Sequence, residues 1–397
     1  MKKKILTISF FTPASENIRG ISALIYTLIK HRPTNVDIRL LTYNANNLNR
    51  TKIEAVKKEL NIDIEVLEFP IWINLLRRIN IFRKLSKFIL QSDLYTYIPF
   101  PTKVKKTLNQ YSPDAIWLYP FYFYKWTFYL KGYPIVLTGC DSNALFKNRC
   151  MEDGYFNSML RRFKLKRDYH KCLYVEKEIA KTHAHFHLVG KADFDFYKSH
   201  TFANNAFYLP HPHYLYQDKE IKFKTKKLKI LWAGANDYYM ETKGKELKDM
   251  LLRSSNKLSD KISLYFLGKG WDKYCLELNQ SGYQACLLGW VDNYIHEIQK
   301  YDIQIVPISV GTGTKGKVLD AMSNGLLCIG TPYAMENISN IDNGYIMYED
   351  VDKLCDILCD CFENREKYEE VAQRGRNSIL KEHNPHAIAL EFFNKFD

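Results

Sequence analysis

Short apolar runs rich in β-branched residues alternate with longer stretches of helical period along the whole chain, the pattern of parallel strands covered by helices. The runs at 4–10, 37–42, 62–69, 115–119, 135–138 and 186–189 predict strands in the first half. Those at 229–233, 262–267, 283–288, 303–308 and 327–330 predict them in the second. The class is α/β. Between the two sets, residues 209–229 hold two prolines and a lysine-rich run just before a fresh strand, which places a domain junction there. The expectation is two doubly wound domains, 1–212 and 213–375, facing each other across a cleft. Sheets of this kind bind ligands beyond the carboxyl ends of their strands.

Composition narrows the picture. A chain of 397 residues exceeds one ordinary core and suits two domains of roughly 150 to 200 residues, so a single small binding module is excluded. With 46% hydrophobic and 25% charged residues, disorder is excluded as well. No stretch reaches 18 apolar residues, and the opening segment reads as a strand rather than a leader, so a cytoplasmic protein is expected. The nine cysteines are odd in number and lack CxxC pairs, which points to reduced thiols. Charge adds a partner class: the net charge is +13, and 77–106 carries eight basic residues against one acid, Asp93. Such a field attracts phosphate groups.

The most informative stretch is 302–332, where the strand DIQIVPIS runs into VGTGTKGKVLDAMSNG and then into LLCIGTP. Gly311, Gly313 and Gly316 permit a tight turn, and a helix beginning near Thr314 presents unpaired N–H groups and a positive dipole end. Lys315 and Lys317 add two cations, and Gly325 supplies a C-terminal cap. Two other phosphate loops nearly match. The three glycines satisfy GxGxxG, with Glu336 20 residues beyond Gly316, but a dinucleotide fold puts that turn on its first strand. Gly311, Gly316 and Lys317 also follow Walker A spacing, yet Val318 stands where the magnesium-binding hydroxyl belongs, so NTP hydrolysis is disfavoured.

Gly311, Gly313, Lys317, Asp320, Ala321, Met322 and Gly325 together resemble the retaining, metal-independent glycosyltransferases of the two-Rossmann-domain (GT-B) fold, especially the family 4 "group 1" branch. The stretch LLGWVDNYIHEIQKYDIQIVP at 287–307 is similar to that family's Gly-aromatic-Val turn, helix and strand. Gly234 with Lys243 and Gly244 looks like its first-strand loop and Lys-Gly pair. The matches cover about 150 residues, on the motif-reading standard that joint matches outweigh single ones. The resemblance implies that Asp320 accepts hydrogen bonds from ribose hydroxyls and that Lys243 and Lys317 neutralise a diphosphate. Backbone near Trp290 and Val291 would hold the base, and the turn from Gly313 through Thr314 and Lys315 would help the diphosphate depart. The donor would be UDP- or GDP-linked, with no other cofactor and no metal. Where the family usually has a glutamate near the donor sugar, this chain has Thr312, which can hydrogen-bond a hydroxyl but adds no negative charge. Family loops of the GxGxKxKVLEA type share that lack.

In the first half, Arg19 and Gly20 open a helix with an apolar face at Ile21, Leu24, Ile25 and Leu28, similar to the family's loop facing donor and acceptor. Asp141, after a predicted strand, could orient or deprotonate an acceptor hydroxyl; an Asx turn or N-cap is the equal alternative. His183, His185 and His187 alternate along a predicted strand and would share one face, in a structural or solvated role rather than at zinc. Residues 74–91 can be drawn as a basic amphipathic helix, with Leu75, Ile79, Phe82, Leu85 and Ile89 opposite Arg77, Arg83, Lys84 and Lys87. Such a helix suits an anionic membrane surface or an ordinary domain surface. The last segment, 376–397, is expected to cross back to the first domain.

The function expected is sugar transfer from a nucleotide-sugar to a glycan or lipid-linked acceptor in bacterial surface polysaccharide synthesis, with membrane association peripheral. A catalytically silent sugar-nucleotide sensor is the alternative. A nucleic-acid binder, suggested by charge and 28 tyrosines, lacks any RNA-binding signature.

Overall fold

The computed structural model describes residues 2–15, 20–79, 89–152, 158–340 and 342–396. Among these residues thirteen strands form two sheets, and all their pairings are parallel. The first contains β1 (Lys3–Ser9), β2 (Val36–Thr42), β3 (Asp63–Val66), β4 (Ala115–Tyr119), β5 (Ile135–Cys140), β6 (His185–Leu188) and β7 (Ala206–Tyr208), in the order β3-β2-β1-β4-β5-β6-β7. The second contains β8 (Leu228–Ala233), β9 (Ile262–Leu267), β10 (Gln284–Leu287), β11 (Ile303–Val306), β12 (Leu327–Gly330) and β13 (Ile346–Met347), in the order β10-β9-β8-β11-β12-β13. Both are doubly wound, and each order reverses once, between β1 and β4 and between β8 and β11.

Central strands such as β4 and β11 are buried at every position because helices cover both faces, which is why their sequences read as unbroken apolar runs. The two strands that sequence reasoning did not draw, β7 and β13, are edge strands of three and two residues whose partly exposed side chains leave no apolar run to detect.

The chain forms two compact units, 1–212 with 385–397, and 213–384. The segment 376–397 therefore contains two different things. Its first residues finish a helix, Arg365–Glu382, inside the second unit, and after the break at Asn384–Pro385 the helix Pro385–Asn394 belongs to the first. That last helix is held by aromatic packing: the Phe392 ring lies 4.7 Å from Trp117 of β4 and 5.1 Å from His187 of β6. Helix α1 (Gly20–Lys30) buries Leu24, Ile25 and Leu28 of the expected stripe together with Ile29, while Ile21 is exposed. All nine cysteines are free thiols.

Two expectations are corrected. A continuous helix over 74–91 does not form: α2 spans Ile71–Arg78, and Ile79 turns to extended geometry at φ −94°, ψ 110°. Helix α2 has no side-chain cap at Pro70 and leaves Ile71, Trp72 and Leu75 exposed, so little burial sustains it beyond two turns. Residues 80–88, including Phe82, Arg83, Lys84, Leu85, Lys87 and Phe88, lie outside the described residues. Of the three histidines only His185 and His187 lie on β6, two residues apart and so on one face, while His183 precedes the strand. His183 and His185 are exposed, while His187 is buried, stacked on Phe207 and 3.3 Å from the Thr138 hydroxyl.

Candidate functional site

The loops after β8 and β11 flank the point where the second sheet reverses, where open α/β sheets take their ligands. After β8 the chain turns at Gly234, φ 136°, a conformation that glycine adopts without strain. Its N–H donates to the Leu267 carbonyl at 2.9 Å, and its carbonyl accepts from the Trp271 indole at 2.7 Å. Gly268 lies against it so closely that a Cβ there would stand 2.0 Å from the Gly234 oxygen. Helix α3 (Glu241–Arg253) follows, and a Cβ added at Gly244 would meet the Trp232 ring at an ordinary contact distance of 3.4 Å. Beside it, Lys243 supplies an accessible cation.

After β11 the chain passes through Gly311, Thr312 and Gly313 (φ 68°) into α4 (Gly316–Ser323), and Gly325 (φ 84°) follows its end. Ser309 ties the two loops together. Its hydroxyl accepts the Lys243 N–H at 2.9 Å, and its own N–H donates to the Tyr239 carbonyl at 2.7 Å. The two lysines of the turn do different things. Lys315 folds back, donating to the carbonyls of Thr312 (2.6 Å) and Gly313 (2.8 Å), and so holds the loop's shape. The ammonium of Lys317 instead reaches toward the other loop, 3.8 Å from where a Gly234 Cβ would sit.

Electrostatics single out Lys317 and Asp320. Lys317 retains exposed surface, yet desolvation lowers its pKa, against the opposing pull of Asp320 and Asp237. Asp320, one turn along α4, is 1% exposed, and burial pushes its carboxyl up to about 7 despite Lys317. Beneath them, Gln304 of β11 is fully buried and donates to the Lys317 carbonyl at 3.3 Å. The Tyr294 hydroxyl is buried close enough for Asp320 to help raise its pKa. Lys243 is paired with Glu246 at 2.7 Å, and both side chains are more than one-third exposed. Trp290 projects from the loop after β10, 80% exposed, two strands away from β8, while Val291 packs against the core.

In the first unit, Asp141 follows β5 on the exposed side of a sharp turn in which Cys140 adopts φ 63°. That is an unusual conformation for a residue with a Cβ. The N-cap role considered for Asp141 falls to Ser142. The Ser142 hydroxyl accepts from the Leu145 N–H at 3.0 Å, and buried Asp193 and Glu176 hold Ser142 in turn. A Cβ on Gly20 would meet nothing within 4 Å, and Arg19 lies outside the described residues. Among the described residues, no three His, Cys, Asp or Glu side chains group to hold a metal ion.

Residues 227–364 match the model of the family described as glycosyl transferases group 1. This segment is similar to the glycosyl transferases of group 1. The whole chain has the GT-B fold of several solved proteins. HepE from Anabaena, in complex with UDP, aligns over 98% of each chain with TM-score 0.65 and 11% identity. WaaG, a glycosyltransferase involved in lipopolysaccharide biosynthesis, aligns over 99% of each with TM-score 0.60 and 11% identity. Sucrose-phosphate synthase from Thermosynechococcus elongatus aligns over 99% of this chain and 98% of its own, with TM-score 0.62 and 12% identity. No curated protein sequence matches the chain significantly.

Within the second unit the structure gathers Gly234, Lys243, Gly311, Thr312, Gly313, Lys315, Lys317 and Asp320 onto the loops flanking one strand-order reversal. Four further residues shape the site and were not singled out from sequence: Trp271, Ser309, Tyr294 and Gln304. Gln304 carried a usable signal, a lone polar residue inside the apolar run DIQIVPIS. Ser309 carried none, since its partner Lys243 is 66 residues away.

Proposed function

We propose that this protein transfers a sugar from a UDP- or GDP-linked donor to a hydroxyl of a glycan or lipid-linked acceptor, retaining its anomeric configuration and using no metal. The observation that carries the reading is the pairing of Lys317 with the Gly234 turn across the β8/β11 reversal, with Asp320 directly behind. Solved structures of the similar HepE contain UDP and UDP-glucose, which supports a nucleotide-sugar donor. WaaG and WaaB are named for lipopolysaccharide synthesis, which supports a surface glycan as product.

In this reading the bond from the sugar anomeric carbon to the β-phosphate oxygen breaks and a bond to the acceptor oxygen forms. The nucleoside diphosphate leaves, and the acceptor's proton goes to a base or to solvent. Negative charge grows on the departing diphosphate, where Lys317, Lys243 and the N–H groups opening α4 are fixed beforehand to receive it. Lys243 must first leave Glu246, a loss of less than about 1 kcal/mol for so exposed a pair. Asp320 accepts from ribose hydroxyls as carboxylate, Thr312 hydrogen-bonds the donor sugar, backbone near Trp290 and Val291 holds the base, and Asp141 serves the acceptor side.

Titration calorimetry with UDP and GDP, then assay of nucleoside diphosphate release from candidate sugar donors with membrane lipid extract, tests the proposal. Micromolar binding with acceptor-dependent release is the expected result. Binding without turnover would instead make the protein a sugar-nucleotide sensor, a reading that Thr312 in place of the family carboxylate would explain.

A further inference from the structure

Helix α5 (Met159–Ala180) begins with the sequence MLRRFKLKR, capped by the Ser158 hydroxyl on the Arg161 N–H. Its first nine residues carry five basic side chains and no acid. Met159, Leu160 and Phe163 are 88%, 84% and 68% exposed, among the most exposed apolar side chains of the described residues. At 100° per residue they occupy one arc of the helix. Leu165, Val175 and Ile179, which are buried against the unit, occupy the opposite arc. The apolar tip therefore faces away from the protein, and Lys164 and Lys166 border it on either side, both exposed. Further down, the Lys171 ammonium donates to the Leu90 carbonyl, so the helix is anchored beside residue 90, where Ile89 is 65% exposed.

We infer that this helix end is a docking surface for an anionic lipid membrane. Three apolar side chains cover far less than the ~800 Å² per partner that a stable protein interface needs. Apolar residues seated at the headgroup boundary, with long basic side chains snorkelling around them, are what an anionic bilayer binds reversibly. Charge complementarity selects the occupant: Arg161, Arg162, Lys164 and Lys166 are all exposed, and none is offset by an acid before Asp168. The surface belongs to the first unit and the loops after β8 and β11 to the second, so the inference stands whether or not the proposed sugar transfer does.

The test is co-sedimentation of the whole chain with phosphatidylcholine vesicles, with and without phosphatidylglycerol, at low and high salt. Two variants accompany it, Met159→Ser/Leu160→Ser/Phe163→Ser and Arg161→Gln/Arg162→Gln/Lys164→Gln/Lys166→Gln, with thermal melts to establish that both fold. The wild-type protein should bind only vesicles containing phosphatidylglycerol and be released by salt, as expected for contacts screened over about 10 Å. Each variant should lose at least tenfold in vesicle affinity with its melt unchanged. Indifference to phosphatidylglycerol would overturn the inference, as would a folded apolar variant that binds like the wild type. So would self-association of the wild type that the apolar variant abolishes, which would make a second copy the occupant.

Discussion

The two sheets share one strand logic and one reversal, yet the loops at their reversals differ in kind. In the second unit the strand ends open onto glycine turns, backbone amides and the cations of Lys243 and Lys317. In the first, the end of β1 runs into Phe10, whose ring packs edge-on against Tyr95 (4.5 Å), Tyr122 (5.3 Å) and Phe69 (5.5 Å). β4 likewise ends on a cis Tyr119–Pro120 bond and an aromatic 3₁₀ segment. One backbone topology thus supports a cationic, amide-lined turn in one unit and an aromatic-packed one in the other. The chemistry belongs to the loops, not to the sheet.

The largest expected effect breaks this comparison at its glycines. Gly268→Ala places a Cβ 2.0 Å from a backbone oxygen at φ 140°, so urea denaturation should show a loss of at least about 2 kcal/mol. Gly20→Ala in the first unit meets nothing and should stay within about 0.5 kcal/mol of wild type. Equal losses would show that the second-unit turn is not specially constrained.

Next comes the division of labour between the lysines. Lys317→Ala should weaken UDP-glucose binding by at least about tenfold, the scale of a charge-assisted hydrogen bond. Lys315→Ala removes a loop brace and should cost several-fold less; the reverse order, read by calorimetry, would exchange their roles.

Protonation sharpens the picture further. With the Asp320 carboxyl held up at about 7, the carboxylate proposed to meet ribose is mostly absent at pH 6 and mostly present at pH 8. UDP-glucose affinity should therefore rise about tenfold over that range, following the fraction ionised. The sugar diphosphate has no ionisation of its own near neutrality. Asp320→Asn should bind more weakly and without this pH dependence. A raised pKa also means that Asp320 contributes stability fully below the ordinary aspartate range, lost as pH climbs toward 7. Asp320→Asn should accordingly raise the melting temperature more at pH 8 than at pH 5. The smallest effect is Glu246→Gln, which releases Lys243 from a half-exposed pair and should improve donor affinity by no more than about threefold.

Sequence reasoning reached the strands whose faces are both buried, because continuous apolar runs such as AIWLY and ISLYFL leave little choice of conformation. It reached the glycine turn as well, since Gly311, Gly313 and Lys317 are neighbours in the chain. The partition of Lys315 from Lys317 was out of reach: both are lysines two residues apart, and only the path of the loop decides which one folds onto carbonyls. The burial of Asp320, and with it the expected pH dependence, is set by packing around α4, with the Tyr294 hydroxyl of another element close by. The helix drawn over 74–91 is interrupted at Ile79, because an amphipathic period reports a possible face but not where the backbone breaks.

The central claim is that nucleotide binds at the β8/β11 reversal of the second unit. Amide hydrogen exchange with and without saturating UDP reads this out residue by residue. The account predicts strong protection at 234–237 and 311–318 with little change at 10–15 and 119–124. Protection confined to the first-unit loops, with 311–318 exchanging as before, would contradict it.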